Sequence, residues 1–158
     1  MTRLKTHIVA KGYSQVEGVD YTDTFAPVAR LESVCTVLSV AASLDWEIHQ
    51  FDVKTTFLHD ELTGDIYMEQ PEGRKEQGKE SWVCKLQKLI YGLHQAGCCW
   101  YTHLYEEICK AGFTRVSMDH SVFVKQSSLG QAMVMVHVDD MAAAASNTQT
   151  LHETVQDL

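Results

Sequence analysis

The stretch AMVMVHVDDMAAAA, residues 132–145, places two adjacent carboxylates, Asp139 and Asp140, inside an otherwise apolar run. The segment 132–138 has strand length and carries β-branched and methionine side chains, and a second apolar segment, 141–145, follows the acidic pair. This pattern predicts a strand, a tight turn that contains both aspartates, and a second strand.

Two interpretations of the acidic pair stay open from this stretch alone. Burying ionised carboxylates is costly, and neighbouring carboxylates repel each other. Binding of a divalent metal ion, which prefers oxygen ligands, would compensate for this cost and would give the pair a function. A two-metal site needs several such carboxylates. Alternatively, the pair is a polar hairpin tip, because aspartate is a common turn residue.

The composition predicts one globular domain in a reducing compartment. The chain has 158 residues, of which 45% are hydrophobic and 22% charged, which is ordinary for a globular domain. No apolar run approaches the ~18 residues of a membrane span, and the N-terminus lacks a secretory signal. The five cysteines have no C-x-x-C spacing, which argues against disulfides and structural zinc. We therefore expect an intracellular protein that is neither secreted nor inserted in a membrane.

The charge distribution, taken alone, argues against nucleic-acid binding. The net charge is −8, and residues 131–158 contain four acidic and no basic side chains. Affinity for nucleic acid comes largely from lysine and arginine on phosphates, and the chain contains no basic stripe.

Periodicity predicts three helices around the acidic hairpin. The first covers residues 30–45, with an apolar stripe that we expect to face the core: Leu31, Val34, Leu38, Ala41, Ala42 and Leu44. The second covers residues 98–111 and ends at Gly112. A third helix begins near Asn147 or Thr148, either of which is a suitable N-cap. Residues 122–125 are predicted to form a hairpin with 132–138.

Two further predicted strands carry polar side chains of interest. If Arg3–Lys11 is a strand, Lys5, His7 and Lys11 lie on the same face, because they occupy odd positions. This basic face could bind phosphate groups, or it could be an ordinary solvent-exposed face. In the segment 46–58, Asp52 is flanked by Phe51 and Val53. Asp52 is either a surface residue on an edge strand or a third metal ligand.

Six strings of sequence, in one order along the chain, resemble a single family. They are KTHIVAKGYSQVEGVDYTDTFAPVARLES (5–33), FDVKTTFLHDEL (51–62), IYMEQPEG (66–73), KLQKLIYGLHQAGCCWY (85–101), DHSVFV (119–124) and VHVDDM (136–141). Together they resemble the reverse transcriptase region of copia-type LTR retrotransposon polyproteins. Another carboxylate-rich Mg²⁺ phosphohydrolase would explain the three aspartates but not the other strings.

The resemblance implies an α+β, right-hand polymerase fold. Fingers and palm are expected to be interleaved over residues 1–158 around an antiparallel palm sheet, with the rest of the palm and the thumb missing. The implied activity is RNA- or DNA-templated DNA synthesis by two-metal transfer of nucleotides to a primer 3′-oxygen, with two Mg²⁺ ions, or Mn²⁺. The implied partners are primer–template, dNTPs and the remainder of a Pol polyprotein, in the cytoplasm or a virus-like particle, without a membrane.

The resemblance also implies roles for individual residues. By position, the catalytic and metal-binding carboxylates are Asp52, Asp139 and Asp140. Lys5 and Lys11 are similar to finger-strand groups that meet the triphosphate. Phe57 is similar to the aromatic side chain that blocks a ribose 2′-hydroxyl, and Gln95 belongs to a string like the loop that packs against the templating pair.

Several positions depart from the residues that the resemblance to this family implies. Histidine or cysteine replaces a basic side chain at His7, His94 and Cys98, and each lost phosphate contact weakens nucleic-acid binding. His137 replaces a tyrosine before the acidic pair. Other departures are Thr56, Asp60 and Arg74. These departures and the missing thumb favour an alternative: a non-catalytic, truncated relic that keeps the fold. In either case we expect little or no processive synthesis by the isolated chain.

Overall fold

The computed structural model describes residues 8–53, 62 and 64–158. The chain divides into two compact units, one formed by residues 1–25 and 55–100 and the other by residues 26–54 and 101–158. The described helices are α1 (Leu31–Ser43), α2 (Ala96–Lys110) and α3 (Thr148–Asp157), with a short 3₁₀ turn at Gly12–Ser14. The described strands are β1 (Glu47–Asp52), β2 (Tyr67–Glu69), β3 (Val83–Lys85), β4 (Thr114–Arg115), β5 (Val122–Gln126), β6 (Gln131–His137) and β7 (Asp140–Ala145).

The second unit contains an antiparallel sheet in the order β1-β7-β6-β5-β4. The predicted hairpin between residues 122–125 and 132–138 is confirmed as β5 and β6. The next turn differs from the prediction, because only Val138 and Asp139 form the loop and Asp140 already pairs with His137 in the ladder. A loop of two residues is the commonest hairpin connection, and it leaves Asp140 inside the second strand.

Helix α1 packs on the sheet through a face that overlaps the predicted stripe only in part. Val37 and Ala41 are buried in a cluster with Val122, Met135 and Ala144. Leu31, Leu38 and Leu44 of the predicted stripe are instead exposed. The prediction is confirmed for Ala41, which is buried, and for Val34, which packs against this cluster. It was wrong for the exposed leucines because α1 has apolar residues around more than one face, so periodicity alone did not identify the buried face.

The other two helices agree closely with their predictions. Leu104 and Ile108 of α2 are buried, and Gly112 follows the helix with a φ of +88°, the left-handed conformation that glycine favours at helix ends. Asn147 caps α3, since its side-chain Oδ1 accepts the backbone N–H of Thr150 at 2.8 Å.

The first unit contains an antiparallel pairing of β2 with β3, in which Tyr67 lies opposite Lys85 and Glu69 opposite Val83. Gln70 organises the charged loop between these strands. Its Nε2 donates to the carbonyl oxygens of Lys79 at 2.6 Å and Trp82 at 2.9 Å, and its Oε1 accepts the N–H of Glu76 at 2.7 Å.

The predicted strand Arg3–Lys11 lies partly outside the described residues. Its described part forms one isolated parallel bridge, between Val9 and Tyr91, instead of a strand. Next to this bridge two glycines cross closely: a Cβ built on Gly12 would lie 1.9 Å from the carbonyl oxygen of Gly92. The crossing therefore excludes any side chain at Gly12.

None of the five cysteines, all of which belong to the described part of the chain, forms a disulfide bond. Among the described residues, no helix is long and apolar enough to cross a membrane.

Candidate active site

Asp52 and Asp140 lie directly opposite each other on β1 and β7. The neighbouring pair is hydrogen-bonded, because the N–H of Val53 donates to the carbonyl oxygen of Asp139 at 3.1 Å. Since hydrogen-bonded and non-hydrogen-bonded pairs alternate, Asp52 and Asp140 form a non-hydrogen-bonded pair, in which the Cα atoms are only about 4.5 Å apart and the side chains share a face. The sheet thus brings together two carboxylates that are 88 positions apart in the sequence (140 minus 52).

Asp139 completes the group from the turn between β6 and β7. The first turn residue, Val138, has a φ of +61°, whereas Asp139 has a negative φ. A positive φ at the first position only is typical of a type II′ turn, which favours glycine there. A β-branched residue in this region is strained, and the strain lies immediately before the acidic pair.

The three carboxylates face solvent to a large extent. Asp52 and Asp140 are exposed, and Asp139 is half-buried. Among the described residues, no cation forms an ion pair with any of the three. Their oxygens therefore have no protein counter-charge within that part of the chain.

The donor set fits a hard divalent cation in chemistry, since it consists of carboxylate oxygens on two neighbouring strands and their turn. Over residues 8–53, 62 and 64–158, however, no group of three His, Cys, Asp or Glu side chains is already arranged to hold a metal ion. The backbone thus brings the acidic positions together without a closed cage. His137, opposite Asp140 in the ladder, is exposed beside them.

Two of the four predicted nucleotide-binding residues are described, and both lie in the first unit. Lys11 is exposed, and its carbonyl oxygen accepts the hydroxyl of Ser14 at 2.7 Å. Gln95 is buried, with a side chain fixed by other residues of the same unit. Lys5 and Phe57 lie outside the described residues.

Sequence reasoning missed the partner that orients Gln95. Gln15 donates from Nε2 to Oε1 of Gln95 at 3.1 Å and accepts the backbone N–H of His94 at 2.8 Å. Gln95 in turn donates to the carbonyl oxygen of Asp20 at 3.4 Å. Gln15 lies in the string AKGYSQ, so the resemblance included it, but no pattern in one sequence indicates a contact across 80 residues.

Asp119 is a second residue that the sequence did not single out. Its buried carboxylate accepts the backbone N–H groups of Arg30 at 3.1 Å and Ser121 at 2.9 Å, and it therefore anchors the start of α1. Burial by itself raises the pKa of Asp119. The hydrogen bonds from Ser33, Ser121 and Arg30, with the charge of Arg30, outweigh burial and hold the pKa below its ordinary value.

The described chain is a mixed α and β structure with an antiparallel sheet, in which Asp139 and Asp140 lie at the β6–β7 hairpin and Asp52 lies opposite Asp140 on the neighbouring strand β1. The family described as "Reverse transcriptase (RNA-dependent DNA polymerase)" matches residues 1–158. The chain belongs to this reverse transcriptase family, which confirms the resemblance predicted from the six strings.

Similar curated proteins agree with this assignment. The chain is 40% identical over its full length to the retrovirus-related Pol polyprotein from transposon RE1 of Arabidopsis thaliana. It is 39% identical over its full length to that from transposon RE2 of the same plant. It is also 42% identical, over 89% of its length, to the Pol polyprotein from transposon TNT 1-94 of Nicotiana tabacum. The chain spans 11% of the length of each of these relatives. No solved structure matches the chain significantly.

Proposed function

We propose that the chain is the fingers and palm of an RNA-directed DNA polymerase that adds nucleotides to a primer 3′-hydroxyl. The observation that carries this proposal is the pairing of Asp52 with Asp140, next to Asp139, in a chain of the reverse transcriptase family. The second unit, with its antiparallel sheet, corresponds to the palm, and the first unit to the fingers.

Asp52, Asp139 and Asp140 would hold two Mg²⁺ ions, or Mn²⁺. When bound, these ions supply positive charge that stabilises the attacking and leaving oxygens of the transferred phosphoryl group. The protein contributes the placement of its carboxylates. The absence of a protein cation beside them, among the described residues, leaves their negative charge available for metal.

The proposed nucleotide-binding groups are Lys5, Lys11, Phe57 and Gln95. The lysine amines would neutralise triphosphate charge, and the ring of Phe57 would exclude a ribose 2′-hydroxyl by its volume. The hydrogen bonds from Gln15 and to Asp20 hold the Gln95 amide in one orientation, as a group that contacts a nucleotide needs. The partners are primer–template with RNA or DNA as template, dNTPs and the remainder of a Pol polyprotein, in the cytoplasm or a virus-like particle.

The test is single-nucleotide addition to a primer–template by the purified chain during titration with Mg²⁺ or Mn²⁺. We expect addition by the native chain and its loss in Asp139→Asn. Glu106→Gln, which removes an exposed carboxylate from α2, is the matched control and should keep the native rate. Addition that persists in Asp139→Asn would contradict the three-carboxylate site.

A second candidate is a non-catalytic relic, favoured by His137, His94 and Cys98 in place of the residues that the family pattern has. The two candidates differ in their response to His137→Tyr. If His137 impairs an otherwise intact site, the substitution should raise the rate of single-nucleotide addition by about threefold, which corresponds to a decrease of ~0.6 kcal/mol in the activation free energy. The relic would be identified if neither the native chain nor His137→Tyr adds a nucleotide and if Asp139→Asn does not change Mn²⁺ binding.

In neither case do we expect the isolated chain to extend a primer over tens of nucleotides, because processive synthesis needs tight binding of the primer–template and the net charge of −8 weakens contacts with phosphates. Steady extension over that length would contradict this expectation.

A further inference from the structure

The first unit contains a groove between two polypeptide edges. The lining of this cavity of about 910 Å³ includes most residues of the segment Ile8–Gln15, together with β2 and residues of the loop that follows it. Ile8 and Val9 are each 58% exposed and Tyr67 is 57% exposed, so the apolar side chains at the mouth are open to solvent.

Within residues 8–53, 62 and 64–158, both edges present main-chain groups without hydrogen-bond partners. The N–H of Leu86 donates to the carbonyl oxygen of Ile66 at 2.9 Å, so the alternation along β2 directs the N–H and C=O of Tyr67 and Glu69 away from β3. On the other edge, the N–H of Ala10 donates to Tyr91, which directs the main-chain groups of Val9 to the opposite side. Among the described residues these groups of Val9, Tyr67 and Glu69 have no partner.

The charges at the groove select among possible ligands. Among the described residues that line the groove, Asp20, Glu69 and Glu72 contribute carboxylates, and Lys11 and Lys75 contribute amines. These described groups together carry one net negative charge. This charge disfavours a nucleic-acid backbone. It also disfavours a second copy of this chain, whose net charge is −8. Unpaired main-chain edges beside apolar side chains instead match an extended peptide that adds as a β-strand.

We propose that this groove binds an extended, net-basic segment of the Pol polyprotein from outside these 158 residues, which adds as a strand along β2 and the Val9 edge. In the relatives RE1 and RE2 the matched region is 11% of the polyprotein, so most of the polypeptide is available as a source. The inference rests on the proposed function in taking the chain as part of a longer Pol polyprotein, but it does not require polymerase activity, so loss of nucleotide addition and loss of peptide binding are distinguishable results.

The experiment probes the purified chain with overlapping 12-residue synthetic peptides that tile the RE1 Pol polyprotein. We expect binding by peptides that alternate apolar residues with lysine or arginine. Binding should slow hydrogen exchange at the amides of Val9, Tyr67 and Glu69. N-methylation of alternate peptide residues on the pairing edge should weaken binding by at least about tenfold, the equivalent of one or two hydrogen bonds.

Protein variants separate charge recognition from folding. Glu72→Lys should weaken binding of the basic peptides by about threefold, whereas Glu17→Lys, an exposed charge reversal in the same unit outside the groove, should leave it unchanged. Three results would overturn the proposal: no peptide binds, acidic peptides bind best, or N-methylated peptides bind as well as their parents.

Discussion

The backbone N–H of Val53 donates to the carbonyl oxygen of Asp139 at 3.1 Å, and this bond sets the register of the acidic site. Because that pair is hydrogen-bonded, the next pair, Asp52 and Asp140, is of the closer, non-hydrogen-bonded kind. Two like charges therefore face each other across neighbouring strands, and such pairs are destabilising.

We predict that Asp52→Asn stabilises the chain while it abolishes nucleotide addition. Removing one of two facing carboxylates relieves repulsion worth roughly 0.5 kcal/mol, and urea unfolding in the presence of EDTA measures the gain. Millimolar Mg²⁺ should raise the unfolding midpoint of the native chain more than that of Asp52→Asn. Equal midpoints in EDTA would show that the facing charges do not repel in the folded chain.

Val138→Gly should stabilise the second unit. The φ of +61° at Val138 is costly for a β-branched residue but not for glycine. Glycine loses more backbone entropy on folding than valine does, and this loss offsets part of the relieved strain. We therefore expect a net gain of about 1 kcal/mol in the free energy of unfolding. Val138→Ile retains the β-branch and is the matched control. A loss of stability in Val138→Gly would argue against strain at this turn.

Asp119 should link the stability of the second unit to acidic pH. Its folded pKa lies below the ordinary value, so its contribution is fully present above the unfolded pKa of about 3.9 and is lost as pH falls through the folded pKa. We expect Asp119→Ala to cost about 2–3 kcal/mol at pH 7, because it leaves the N–H groups of Arg30 and Ser121 without their charged acceptor.

The pH dependence separates this role from simple packing. Urea midpoints measured from pH 7 to pH 3 should fall for the native chain below about pH 4, and the fall should be smaller in Asp119→Asn, which keeps the side-chain volume. Parallel curves for the two proteins would rule out Asp119 as the source of the acid sensitivity.

The glycine crossing in the first unit gives a prediction with an internal control. Gly92 has a φ of +91°, and a Cβ there would lie 2.2 Å from the carbonyl oxygen of Ala10. Gly18 has a similar φ of +80° but no neighbour within 4 Å. Gly18→Ala should lower the free energy of unfolding by about 1 kcal/mol, which is the effect of the backbone conformation alone. Gly92→Ala should lower it by clearly more, because its Cβ also meets the carbonyl oxygen of Ala10.

Limited proteolysis and urea midpoints measure the difference between the two glycine variants. Equal decreases in the free energy of unfolding for the two variants would show that the backbone near Ala10 accommodates the new side chain without loss of stability.

The sequence predicted most elements of the second unit because their signals are local. The cap at Asn147, the glycine at Gly112 and the apolar run of β6 each depend on neighbours within a few positions. The buried face of α1 and the start of β7 at Asp140 depend on what packs or pairs with them, which is decided elsewhere in the chain. Asp119 and Gln15 were missed for the same reason, since their contacts join positions 89 and 80 residues apart.

The pairing of β1 with β7 also has a consequence for synthesis on the ribosome. Among the described strands, β7 is the only partner of β1, and Asp140 emerges 88 residues after Asp52 (140 minus 52). At about 5–20 residues per second, the nascent chain holds β1 without its partner for roughly 4–18 seconds. Throughout that interval the strand that ends in Asp52 is open to chaperones and to incorrect pairing, so rapid translation would favour correct assembly of the acidic site.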